Sequence, residues 1–309
     1  MRRRSADAVA LRWYRERIEA VAPIPSSNSV PERSAECAAS RRIVLLTPDR
    51  TQPFGGTYHP RVDQSQSTEC VGAGSVAAAV VLASGSGTRV GAAVNKVYLP
   101  LSGRRVVGWS LAALAGVPDI GLTVLVIRPQ DRALADEVLA DDALAGMPIE
   151  VVYGGASRQE SELMALRQLA GRISTGYIDT VLIHDAARPL VSPKLVDAVL
   201  RAAREFGGAI PGLPRDDLVP VTPGTDEVAG PTLDRVVTVQ TPQGFPAKPL
   251  LDAYLRAAAD GFVGTDTAAC MARYSDVRTR CIAGDERNIK ITYPHDIATA
   301  ERLLGATDW

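Results

Sequence analysis

The chain has 309 residues, 46% of them hydrophobic and 22% charged, with a formal net charge of −1. That length and apolar content suit one large domain with an appendage, and the near-zero charge excludes a globally basic nucleic-acid-binding surface. No apolar run reaches the roughly 20 residues of a membrane span, and no continuous apolar stretch follows the N-terminal MRRR, which argues against a secretory signal.

Residues 1–75 read as a disordered N-terminal extension. Its first part, ADAVALRWYRERIEAVA, has apolar residues at helical spacing and predicts one amphipathic helix. The Pro, Gly, Ser, Thr and Gln-rich segments that follow show no periodicity, apart from a short strand-like run, RRIVLLTP. From residue 76 to 309 strands and helices alternate. VAAAVVL (76–82) is a buried strand, VVGWSLAALAGV a helix, and GLTVLVI (121–127) a strand. DRALADEVLADDALAG predicts one helix, its Asp136, Glu137, Asp141 and Asp142 a solvated face. IEVVY (149–153), the helix RQESELMALRQLAGR and the strand YIDTVLIH (177–184) come next. In SPKLVDAVLRAAREFGG, Ser192 predicts an N-cap, Pro193 the first helical position and Gly207 the end. Residues 211–240 mix Pro and Gly with Val-rich runs and predict an extended hairpin, not a helix. PAKPLLDAYLRAAADG is helical, DVRTRCIAG and RNIKITY are strands, and PHDIATAERLLG is the final helix. Repeated βα units imply a Rossmann-like α/β fold, a mostly parallel twisted sheet with helices on both faces.

The stretch LASGSGTRVGAAVNK (82–96) joins a strand end to two spaced cations, Arg89 and Lys96. It holds no Walker A pattern. It is not the dinucleotide fingerprint either, because Val90 stands where the third Gly or Ala belongs. Small residues let backbone N–H groups approach a polyphosphate closely, and Arg89 and Lys96 are suited to stabilise charge on a leaving pyrophosphate. Other suggestive stretches are GGASRQES after Tyr153, HDAARP (184–189), TPQGF (241–245), GTDTA (264–268) and GDERNIKIT (284–292). Several follow strand ends, and an open α/β sheet binds ligands outside the carboxyl ends of its strands. His184 by itself reads as a structural cap of its strand, and His59 and His295 make no case for a metal. Cys37, Cys70, Cys270 and Cys281 form no C-x-x-C pair and read as reduced thiols of a cytosolic protein.

In this order G-x-G-x-R with its Lys, HDAARP, TPQ-x-F, TD-x-A and NIKIT resemble the 2-C-methyl-D-erythritol 4-phosphate cytidylyltransferases of the non-mevalonate isoprenoid pathway, from about residue 76 to 304. The resemblance implies a nucleotide-diphospho-sugar transferase type of fold and a Mg²⁺-dependent reaction. CTP would be joined to a polyol phosphate in a cytoplasmic homodimer whose β-arm reaches the partner. It implies that Gly85, Gly87, Arg89 and Lys96 hold the CTP phosphates, and that Ala83, Ser84, Gly155, Ser161 and Ala186 frame the nucleotide. Asp185 would lie near the metal and the attacking phosphate, and Lys290 would contact phosphate. Arg188, Thr265 and the arm residue Arg235 would shape the sugar-phosphate site.

The sequence also departs from the family pattern. Asn95 and Val97 flank Lys96 where Pro and Gln are usual, and Ala156 follows the GG pair. In the arm Asp217 and Val219 replace the usual Thr and Lys, and TD-[DE]-A has become TDTA, with Thr267 in place of the acid. Three readings follow: methylerythritol phosphate as acceptor, another polyol phosphate such as ribitol 5-phosphate, or a nucleotide-binding paralogue without turnover. No nucleic-acid or membrane partner is expected.

Overall fold

The computed structural model describes residues 18–19, 74–85, 95–215, 217–218 and 236–306. Ile18–Glu19 (β1) lies beside Thr279 and Arg280 in parallel pairing. These two residues are therefore strand where the sequence predicts helix. Their backbone groups pair with a sheet edge that otherwise lacks partners. The rest of that helix and the run RRIVLLTP fall outside the described residues.

Val76–Leu82 (β2) is the strand that the apolar run predicts. Its alternate side chains serve two separate cores: Ala77, Ala79 and Val81 face one, Ala78 and Val80 the other. Pro100–Leu101 (β3) and Arg104–Arg105 (β4) form a tight hairpin through Ser102 and Gly103, both at positive φ. Then come Val106–Ala115 (α1), Ile120–Ile127 (β5) and Arg132–Leu139 (α2). The single helix expected over 131–146 stops at Leu139. Asp141 instead caps a 3-10 turn, Asp142–Leu144, by accepting from the Ala143 N–H. The acidic face is not simply solvated, because Arg104, Arg105 and Arg132 pair with Asp141, Glu137 and Asp136.

Ile149–Tyr153 (β6), Arg158–Ser174 (α3), Ile178–Asp185 (β7) and Pro193–Phe206 (α4) follow as expected. Ser192 caps α4, accepting from the Leu195 N–H at 3.2 Å, and Gly207 ends it at φ 106°, a conformation open to glycine. Gly208–Arg215 (β8) runs antiparallel to Val236–Val239 (β9), so the base of the arm is a hairpin; residues 219–235 lie outside the described residues. Gln243–Pro246 (β10) is a strand that the sequence reading missed, as is the helix Thr267–Tyr274 (α6). Between them lies Ala247–Ala259 (α5). Thr279–Ala283 (β11) and His295–Gly305 (α7) close the chain.

RNIKITY is not a strand. It crosses the ends of the sheet, and its polar groups go to loops: the Ile291 N–H to the Ala187 carbonyl at 2.8 Å, the Asn288 amide to the Thr241 carbonyl at 2.9 Å.

The main sheet runs β1-β11-β8-β10-β7-β2-β5-β6, with β9 paired to β8. Strands β7, β2, β5 and β6 are mutually parallel, and β10 is antiparallel to both β7 and β8. One face is covered by α1, α2 and α4, the other by α3, α5 and α6. The chain leaves β2 toward β5 and β6, then returns to its other side as β7. That reversal opens a crevice at the carboxyl ends of β2 and β7. No helix of the described residues is long and apolar enough to cross a membrane.

Candidate active site

The crevice is built first by backbone. Leu82 and Asp185 sit side by side at the ends of β2 and β7, and the Ala186 N–H reaches the Leu82 carbonyl at 3.1 Å. Ala83 is buried and donates its N–H to Val126; Ser84 and exposed Gly85 lead into the loop. Residues 86–94, including Gly87 and Arg89, lie outside the described residues. Arg235 does too.

Asn95, a departure from the family pattern, closes that loop. Its buried amide donates to the Ala83 carbonyl at 2.8 Å and to Asp131 at 3.0 Å, and Arg128 holds Asp131 by two further bonds. The loop's two ends are thereby tied, and Lys96 starts the 3-10 turn Lys96–Tyr98 beside them. Val97, the second departure, is buried in the core.

The end of β6 supplies the other wall. Ser161 Oγ accepts from Ser84 Oγ at 2.9 Å and from the Gly155 N–H at 3.1 Å. A Cβ on Gly154 would lie 2.6 Å from Ser161 Oγ and 2.7 Å from Ser84 Cβ, so the three strands of chain meet too closely for a side chain there. Ser157 caps α3 by accepting from the Glu160 N–H, and Glu160 reaches back to the Ala156 N–H, a variant of the capping box.

Asp185 is the charged centre. Lys290 Nζ donates to its Oδ2 at 2.6 Å and Arg158 to its Oδ1 at 3.1 Å. Burial by itself would raise its pKa, but Arg158 and Lys290 outweigh that and hold the carboxyl well below the usual range. It is ionised at any working pH. Arg158 is paired in turn with Glu162 at 2.5 Å. Arg188 lies buried beneath and spends donors on the carbonyls of Asn288 at 2.7 Å and Val239 at 3.3 Å. It thus braces the NIK segment and the arm's base against the HDAARP turn.

His184 fills the structural role that its sequence position suggests. Nε2 faces the Arg188 carbonyl at 3.3 Å, which can only accept, so the ring proton sits on Nε2. Nδ1 then accepts from Thr241 Oγ1 at 3.1 Å, and that oxygen accepts the Asp185 N–H, also at 3.1 Å. Burial pushes the imidazole down to about 4, so it stays neutral.

TPQGF and GTDTA meet through Gln243. Its amide donates to Asp266 at 2.9 Å and accepts from the Ala268 N–H at 3.0 Å, while Asp266 caps α6 through the Ala269 N–H. Thr265 is exposed in the preceding loop, and Gln159 clamps that loop by bonding Phe262 and Gly264 at 2.6 Å each. In the arm, the carboxylate of Asp217 is doubly bonded by Arg215, which offsets the negative charge that the sequence departure introduces. Sequence reading assigned no role to Arg158, Glu162 or Thr241. Arg158 and Glu162 left a signal as an i, i+4 cation–acid pair at the start of a helix, and Thr241 as the first residue of TPQGF.

No group of three or more His, Cys, Asp or Glu side chains converges on a metal position among the described residues. Magnesium commonly needs less from protein, one or two carboxylates with water and substrate phosphates completing its shell. The single ionised carboxylate of Asp185 fits that mode.

A doubly wound α/β domain whose switch-point crevice gathers the strand end at Ser84 and Gly85, an ionised Asp and a Lys belongs to the α/β nucleotidyltransferase class. Comparison with known proteins narrows the class. The sequence pattern of the IspD family, 2-C-methyl-D-erythritol 4-phosphate cytidylyltransferase, matches residues 77–306, and the chain belongs to that family. The 2-C-methyl-D-erythritol 4-phosphate cytidylyltransferase of Cereibacter sphaeroides is 39% identical over 227 residues, covering 74% of this chain and 96% of that one. The bifunctional enzyme IspD/IspF of Dinoroseobacter shibae is 39% identical, and there the match spans about half of the relative, 54%. Among solved structures, 4-diphosphocytidyl-2C-methyl-D-erythritol synthase from Anaerococcus prevotii superposes with a TM-score of 0.66 at 28% identity. That match covers 75% of this chain and all of the other.

Proposed function

We propose that the chain transfers a cytidylyl group from CTP to 2-C-methyl-D-erythritol 4-phosphate, releasing pyrophosphate, as part of isoprenoid precursor synthesis. The observation that carries this reading is Asp185, held ionised between Lys290 and Arg158 beside the two ends of the Gly-rich loop. Family membership supplies the substrate pair. An oxygen of the acceptor phosphate attacks the α-phosphorus of CTP; the new P–O bond forms as the α–β bridging P–O bond breaks, and pyrophosphate leaves with the electron pair.

A phosphate monoester is already a competent nucleophile near neutral pH, so the chain's task is positioning and charge neutralisation. Arg89 and Lys96 hold the departing phosphates; Lys290 neutralises the approaching ones; Ala83, Ser84, Gly155 and Ser161 seat the nucleoside. A Mg²⁺ ion held by Asp185 would neutralise phosphate charge. Thr265 and the arm residue Arg235, in a homodimer joined through the arm, complete the acceptor site, and the enzyme works in the cytoplasm.

The altered arm favours testing a second acceptor class, because Asp217 places a carboxylate, although a paired one, at the arm's base. Pyrophosphate release from CTP and Mg²⁺ is measured with a panel of polyol phosphates. Release with methylerythritol phosphate supports the proposal; release only with ribitol 5-phosphate or another member replaces the acceptor. CTP binding without release under any acceptor overturns the enzymatic reading. Lys96→Ala abolishes turnover with the fold intact; unimpaired turnover overturns the role of Lys96.

A further inference from the structure

We propose that Glu162 is a positioning residue for the transfer, fixing Arg158 so that it serves Asp185 and not the incoming phosphates. The inference rests on the function proposed above.

Glu162 is 1% exposed. An isolated buried carboxylate is costly, and such groups persist only when paired and hydrogen-bonded. Three elements meet this one. Arg158, one turn earlier on α3, lies 2.5 Å from Oε1; Thr267 of α6 donates to the same oxygen at 3.0 Å; Tyr254 of α5 donates to Oε2. The acid that the family pattern carries after TD is missing at Thr267, whose hydroxyl instead donates to Glu162. Tyr254 and Thr267 are themselves buried, so the carboxylate is held from both sides.

This arrangement divides the Arg158 guanidinium. One terminal nitrogen faces Glu162 and the other bonds Asp185 Oδ1. A guanidinium anchored at one nitrogen cannot swing to a phosphate without giving up a desolvated ion pair. Lys290 is placed differently. Its side chain is 41% exposed and it holds the other oxygen, Oδ2. Substrate phosphates can therefore recruit Lys290 while Arg158 keeps Asp185 in place. Burial pushes the Glu162 carboxyl upward, and Arg158, Tyr254 and Thr267 work against that push; as the carboxylate it offsets part of the charge of Arg158, Arg188 and Lys290 around Asp185.

Glu162→Gln keeps the shape but removes the charge and turns one acceptor oxygen into an NH2 donor, so that either the Tyr254 or the Thr267 hydroxyl must rotate to accept from it. The expected result is a roughly 10- to 100-fold fall in kcat, of the size that misplacement of a reacting group produces, with KM for CTP changed less than about twofold. Arg158→Met lowers kcat as well, and adding Glu162→Gln to it produces no further loss, because Glu162 acts only through Arg158. A merely structural glutamate would leave kcat unchanged below the melting temperature, or give losses that multiply in the double variant; either result overturns the inference. If Glu162→Gln does not fold, Tyr254→Phe carries the test: reduced kcat supports the inference and native kcat overturns it. Failure of the native chain to release pyrophosphate with any polyol phosphate overturns the proposed function and this inference together. Release from the native chain with undiminished turnover in the variants overturns this inference alone.

Discussion

His184 gives the clearest physical prediction, and one independent of the reaction. The imidazole is buried, neutral and fixed between the Arg188 carbonyl and the Thr241 hydroxyl. Burial lowers its pKa from 6.5 to about 4. Above pH 6.5 the ring is neutral in both folded and unfolded chains, and its titration costs nothing. Below that, the unfolded chain takes up the proton first, and the folded chain only near pH 4. Stability therefore falls as pH drops through this window and levels off below it. The interval corresponds to about 3 kcal/mol between pH 7 and pH 4. Replacing the ring by Gln removes the titration while keeping an amide N–H for Arg188 and an oxygen for Thr241. Urea unfolding at the two pH values measures the difference. Carboxylates common to both chains cancel in the comparison, so the native chain loses about 3 kcal/mol more than His184→Gln. Equal losses in the two chains would refute the neutral, buried assignment.

Gly154→Ala and Gly155→Ala are expected to differ. At Gly154 the new Cβ strikes Ser84 and Ser161 and breaks their bond, costing about 1–3 kcal/mol and raising KM for CTP; at Gly155 it lies 2.2 Å from Glu160 Cγ, an exposed side chain that can turn outward by giving up its bond to the Ala156 N–H, with a smaller loss. Thermal melts and CTP titration of the pair decide this, and indistinguishable variants would count against the packing argument. Asn95→Ala strips donors from the Ala83 carbonyl and from Asp131, costing about 1–3 kcal/mol and weakening CTP binding by loosening both ends of the loop. Unchanged stability would show that the loop closes without it. Asp185→Asn takes one of two carboxylates from Arg158, which keeps Glu162, an expected loss of about 1–3 kcal/mol, to which the half-exposed Lys290 adds little; turnover falls at least 100-fold, and retention of turnover would remove Asp185 from the mechanism.

The βα alternation from residue 76 onward is legible along the chain, because apolar periodicity and capping residues act locally. Ser192, Pro193 and Gly207 bound their helix as read, and VAAAVVL is the strand from which both cores grow. The motifs at strand ends, Ala83–Gly85, Gly154–Gly155 and Asp185, were legible for the same reason: the fold carries every parallel strand end to one edge. RNIKITY misled because its apolar–polar alternation imitates a strand, while its hydrogen-bond partners are loop groups about 50 to 100 residues away in sequence. The sharing of charges emerges only in the folded arrangement. Nothing local shows that Arg158 lies between Glu162 and Asp185, that Lys290 takes the other carboxylate oxygen, or that Thr241 joins His184 to the Asp185 backbone. Those interactions depend on distance and desolvation, which exist only once the sheet has brought its far-separated ends together.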